Sequence, residues 1–296
     1  MTEMGATMDL AEYDSHRHVI ETESGPVGYT DAGSGRPALF VHGVGTGGLL
    51  WRNVIGALMQ ERRCIAVDLP LHGRTPVRSG QDLSLTGLAK VVEDFCAALD
   101  LTGIDLVAND TGGAVAQIVA AHQPQRLATL TLTNCETQGN VPPRAFKPVV
   151  LLARAGLFAP LAGPRLLRNL PATRKRMFGK TYQDIDRIPL DVVRAYLEPL
   201  VGTKDLAKEY QRWIASLRNA DLAAVEPALR RLTIPTLMVW GTGDVFFHVR
   251  YAQWLLDTIP GATKVVTIED GRLFFPDERA QELVANLRAH WEAPSG

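Results

Sequence analysis

A carboxylate at the tip of a sharp turn is the most chemically suggestive feature of this sequence. The run Leu106-Val107-Ala108-Asn109-Asp110-Thr111-Gly112-Gly113 follows strand-forming residues and opens a helical stretch, Ala114 to Val119. A strand-to-helix turn this tight needs small residues two before and two after its apex, because the backbones there pass closely. Ala108 and Gly112 supply them. Such a turn aims the Asp110 side chain into a cleft, and the N–H groups that open the helix can stabilise negative charge there. The same residues also suit an Asp that merely caps a helix amino terminus. The choice between the two rests on the rest of the chain.

The elements that would position Asp110 are legible as alternating strands and helices. Short β-branched or apolar runs occur at Pro37–Val41, Arg63–Val67, Ile104–Ala108 and Ala128–Thr133, and again at Thr236–Trp240 and Lys264–Ile268. Leu85, Leu88, Val92, Phe95 and Leu99 recur at spacings of three and four, one apolar helix face laid against a sheet. A last helix is expected through Ala280–Leu287. Between about Gln138 and Asn219 no strand pattern is visible, and helical segments are separated by Pro160, Pro164, Pro171 and Pro189. The expectation is an α/β protein with a mostly parallel central sheet flanked by helices. Residues 1–137 and 220–296 would form its core and residues 138–219 an inserted helical cap, one wall of a pocket.

Two further motifs bear on Asp110. Phe40-Val41-His42-Gly43-Val44-Gly45-Thr46-Gly47-Gly48-Leu49-Leu50-Trp51 is a strand ending in His-Gly, then a glycine-rich loop and a tryptophan. Val67-Asp68-Leu69-Pro70-Leu71-His72-Gly73-Arg74 is a turn after the next strand. With the Asp110 turn in the place of a Gly-x-Ser-x-Gly nucleophile elbow, the three in this order resemble the α/β-hydrolase fold family from roughly Gly25 to Trp291. The aspartate at the elbow resembles the haloalkane dehalogenase and epoxide hydrolase branch. The resemblance implies that the carboxylate attacks carbon and that a histidine-activated water cleaves the resulting ester. It implies backbone oxyanion donors at Val44 and Thr111, substrate-binding roles for Trp51 and Glu136, and a supporting acid at Asp244 or, in the alternative family position, Glu136. His42 and His72 are expected to hold loops by hydrogen bonds.

The departures from that branch are specific. Val44 stands where dehalogenases carry a halide-binding Asn, Thr111 where they carry a Trp, and Gly45 where a Pro is usual. The segment Asp270-Gly271-Arg272-Leu273-Phe274-Phe275-Pro276-Asp277-Glu278-Arg279 places Leu273 in the position of the family's general base. Leucine cannot accept a proton, so the hydrolytic second step lacks its base. His248, four residues after Asp244, is the candidate replacement; in the plainer reading it starts a surface helix. Three readings follow: an Asp110 enzyme acting on a small or medium organic substrate with a relocated base, a non-hydrolytic elimination, cyclisation or rearrangement with Asp110 as acid/base, and a non-catalytic ligand-binding protein.

Composition narrows the partners. The chain has 296 residues, 46% hydrophobic and 21% charged, with a net charge of −1, which argues against non-specific nucleic-acid binding. The polar amino terminus has no signal-peptide core, and no stretch of about 18 apolar residues suggests a membrane partner. Three widely spaced cysteines point to reduced thiols and a cytoplasmic protein. No motif calls for a cofactor or a metal. Nine Lys and Arg and no Asp or Glu lie between Val141 and Lys180. Such a run is usually a solvated face, and it could instead dock an anionic substrate or an acidic carrier protein. The partner expected at the pocket is a small molecule.

Overall fold

The computed structural model describes residues 8–292, so the ends of the chain, including much of the polar amino-terminal stretch, lie outside the described residues. Eight strands form one sheet: β1 (Arg17–Thr22), β2 (Gly25–Ala32), β3 (Pro37–Val41), β4 (Arg63–Val67), β5 (Ile104–Asp110), β6 (Leu127–Cys135), β7 (Thr236–Gly241) and β8 (Ala262–Ile268). Their spatial order is β1-β2-β4-β3-β5-β6-β7-β8. From β4 to β8 every neighbouring pair is parallel; only β1 with β2 and β2 with β4 run antiparallel. The fold is the α/β class expected from the sequence, with helices covering a mostly parallel sheet.

The central strands are near-continuous apolar runs because both their faces are covered. Every residue of β5 and β7 is buried, and Leu39, Phe40, Val41, Ile65, Ala66 and Val67 have no exposed surface. The helix Leu85–Ala98 presents Leu85, Leu88, Val92 and Phe95 to this core, and Ser84 caps its start by accepting from the Gly87 N–H. The β1–β2 hairpin is absent from the expected strands. Its first strand is half exposed and carries Arg17, His18 and Glu21, so no buried alternation marks it.

Between β6 and β7 the chain is wholly helical. Its main helices are Lys147–Arg154, Leu170–Phe178, Leu190–Val201, Lys204–Ser216 and Asn219–Leu229. The last of these packs on Thr111–His122, the helix that follows Asp110. The segment is tied to the sheet's far end by a buried polar network. Asp277 accepts from Arg52 Nη1 at 2.9 Å, Asn53 Nδ2 at 2.8 Å and Tyr182 Oη at 2.9 Å. Arg272 donates to the carbonyls of Gly179 and Tyr182 at 2.9 and 2.8 Å.

Candidate active site

Asp110 is the last residue of β5, and Thr111 opens the helix Thr111–His122. Its φ of +55° lies where non-glycine residues are rarely found, a strained conformation of the kind that functional turns retain. The turn is possible only because its neighbours lack side chains. A β-carbon on Gly112 would fall 2.4 Å from the His42 carbonyl oxygen, and one on Gly43 would fall 2.4 Å from Asp110 Oδ2. The Val44 N–H donates to Asp110 Oδ2 at 2.8 Å, and the Thr111 amide beside the carboxyl lowers its pKa in the same sense. Both amides expected as oxyanion donors therefore bear on Asp110 itself.

The loops around this turn are held by the residues of the other two motifs. His42 accepts the Leu69 N–H on Nε2 at 3.0 Å, and its Nδ1 faces the Gly43 carbonyl at 2.8 Å. Burial lowers its pKa to about 4, so the ring is neutral. His72 is buried beside it and lowered to about 3 by burial and by His42. The Asp68 carboxylate gathers the Gly48 and Arg74 N–H groups at 2.9 and 3.0 Å and pairs with Arg17. None of these groups lines the cavity that Asp110 faces.

That cavity, of about 100 Å³, is walled by Val44, Gly45, Asp110, Glu136 and Leu273 from the sheet side. Pro143, Phe146, Met177, Phe178, Thr181 and Tyr210 come from the helical segment, and Phe246 and Phe274 from loops after β7 and β8. Its polar content is two carboxyls, a phenol and a hydroxyl in an otherwise apolar and aromatic shell. Glu136 is 1% exposed; Oε1 accepts from Thr111 Oγ1 at 3.0 Å and Oε2 has no partner. Burial pushes its pKa up to about 7. Burial, and next the charge of Glu136, hold Asp110 well above the ordinary aspartate range despite the stabilising amides. The pair cannot easily carry two charges at once.

Asp244 lies within electrostatic reach of both acids but is spent on structure. It accepts from the Phe246 N–H at 2.7 Å and from Asn134 Nδ2 at 2.7 Å, and burial raises it to about 6. His248 is a correction to the sequence expectation. It is exposed at the start of the helix Val249–Thr258 and is not among the cavity's walls, because the chain turns outward after Phe247, whose carbonyl accepts from Trp240 Nε1. Trp51 is a second correction: it is fully buried with its ring 5.2 Å from Phe40 and does not line the cavity. Leu273 does line it, and its carbonyl accepts from Asn109 Nδ2 at 3.0 Å. Sequence reasoning passed over Tyr210, on the helix Lys204–Ser216, and Asn134, whose φ is +22° and whose Oδ1 accepts the Gly241 N–H. Among the described residues no group of three His, Cys, Asp or Glu is placed to hold a metal ion, and the three cysteines are buried and unpaired.

Comparison with known proteins places these features among relatives. The pattern of the alpha/beta hydrolase fold family matches residues 37–279. Haloalkane dehalogenase 2 of Mycobacterium tuberculosis is 28% identical over 252 residues, 82% of this chain and 83% of that protein. The 2-hydroxy-6-oxononadienedioate/2-hydroxy-6-oxononatrienedioate hydrolase of Cupriavidus pinatubonensis is 27% identical over 244 residues, 78% of this chain and 79% of that protein. Among solved structures, an alpha/beta hydrolase fold protein from Burkholderia ambifaria superposes with a TM-score of 0.80 at 20% identity, covering 96% of this chain and 98% of that one.

Proposed function

The chain belongs to the alpha/beta hydrolase fold family, and within it we propose an enzyme that acts on a small organic substrate by moving protons through Asp110, without hydrolysis. One observation carries this reading: Leu273, and no histidine, shares the cavity with Asp110. Water in such a site has no imidazole to activate it, whereas burial raises the proton affinity of the Asp110 carboxyl and suits it to take and return a proton. Glu136 is the second acid of the pair, and its charge sets the proton affinity of Asp110. Residues 138–219 act as a cap in this reading, excluding water with Phe146, Phe178 and Tyr210.

A second reading is favoured by the Val44 N–H on Asp110 Oδ2. A carboxylate held by one oxygen presents the other for attack on carbon, and the mycobacterial relative is named a haloalkane dehalogenase. The two readings separate on a panel of short bromoalkanes and epoxides, followed by bromide release and intact-protein mass. Neither Val44 nor Thr111 offers a side-chain N–H to a leaving halide, so no bromide release and no adduct are expected. Bromide release, or a covalent adduct on the peptide containing Asp110, would overturn proton transfer in favour of nucleophilic attack.

A further inference from the structure

We infer that the outer face of the helical segment between Val141 and Lys180 docks on an anionic lipid surface. Of the nine Lys and Arg in this stretch, eight are exposed; the ninth, Arg174, is half-buried and pairs with Asp186. No acidic residue lies among them in sequence to neutralise the face. Large exposed apolar side chains concentrate in the same place. Leu151, Leu157 and Leu161 are 64%, 50% and 62% exposed, and Leu152 is 39% exposed.

The arrangement is amphipathic in the manner of an interfacial helix pair. On the helix Lys147–Arg154, Val150 and Ala153 turn inward. Lys147, Leu151 and Arg154 stand four and three residues apart, the spacing that makes them neighbours on one outward face. The chain then bends by 106° into the stretch Phe158–Leu167, which carries Leu161 and Arg165 outward. No single described helix is long and apolar enough to cross a membrane, so the contact is peripheral. Leucines that stand this far out would sink among acyl chains while the flanking cations meet lipid phosphates. An acidic protein partner would satisfy the cations but gives no reason for leucine tips without a groove between them. The same stretch supplies Phe146 and Met177 to the cavity wall, so docking would bring lipid close to the pocket's cover.

The test is sedimentation of the whole protein with phosphatidylcholine vesicles, with and without phosphatidylglycerol. Binding is expected only with phosphatidylglycerol, and it should be lost near 1 M salt, where the screening length falls to about 3 Å. The variant Leu151→Ser/Leu157→Ser/Leu161→Ser should fold normally, since these side chains are exposed, and bind at least about tenfold more weakly. Arg165→Glu/Arg168→Glu should weaken binding by about tenfold as well. No binding to phosphatidylglycerol vesicles would overturn the inference. So would leucine variants that bind like the wild type, or a dimer in light scattering that the leucine variants abolish, which would make this face a contact between two copies.

Discussion

Asp110 and Glu136 sit in one buried cavity with no cationic side chain on its walls, and each makes the other's ionisation matter. Glu136 is held protonated to about 7 in the folded chain against 4.5 when free, so its burial favours the fold at low pH. That advantage is present below about pH 4.5 and lost as the pH rises through 7. Glu136→Gln, which cannot ionise, should therefore flatten the fall in stability across this window. At pH 8 it should be more stable than the wild type by on the order of 2–3 kcal/mol, measured by urea denaturation at several pH values. The same substitution removes a negative charge that raises Asp110, so a base-limited pH–rate profile should move its rising limb to lower pH. An unmoved limb would mean that Glu136 does not set the proton affinity of Asp110. The place of Asp110 could be read from its small neighbours, and that of Glu136 from its distance past the strand. Tyr210 could not, since its helix, Lys204–Ser216, meets the cavity through tertiary packing that no local spacing records. His248 was misleading for the opposite reason: four residues from an acid is a suggestive spacing, but the loop between them runs out to solvent.

The elements that shape the site tolerate little change at two points. Gly112 has backbone carbonyls of His42 and Val41 at 2.4 and 2.5 Å from where a methyl would stand, and backbone cannot step aside as a side-chain end can. Gly112→Ala should cost about 1–3 kcal/mol in chemical denaturation and displace Asp110 from the Val44 amide. The buried ion pair of Arg52 with Asp277 joins the start of the helix Arg52–Leu58 to the Tyr182 end of the helical segment. Arg52→Ala strands Asp277 in a dry interior and should destabilise by about 3–5 kcal/mol. A loss below about 1 kcal/mol would show that water reaches the carboxylate. Neither partner of this pair carries a sequence signal, because they lie far apart in the chain. The strands that feed the elbow do carry one. The apolar runs of β5 and β7 reflect burial on both faces, whereas β1 is half exposed and carries Arg17, His18 and Glu21, so it shows no such run.

At the scale of the whole molecule, the sheet presents one aspartate and the helical segment encloses it in aromatic and apolar side chains. The fold class follows from alternation along the chain, and the family match over residues 37–279 agrees with it. What the enclosed carboxyl does depends on its charge, which sequence alone does not fix: an ionised Asp110 is a nucleophile or a base, and a protonated one is an acid. Infrared spectroscopy reads this without any substrate, by the carbonyl stretch of a protonated carboxyl in wild type minus Asp110→Asn difference spectra. At a pH just above the ordinary aspartic acid range, the difference spectrum should contain a protonated-carboxyl band assignable to Asp110, because burial raises its proton affinity. A difference spectrum that shows only carboxylate at that pH, with no protonated band lost in Asp110→Asn, would contradict the raised proton affinity on which this account of proton transfer rests.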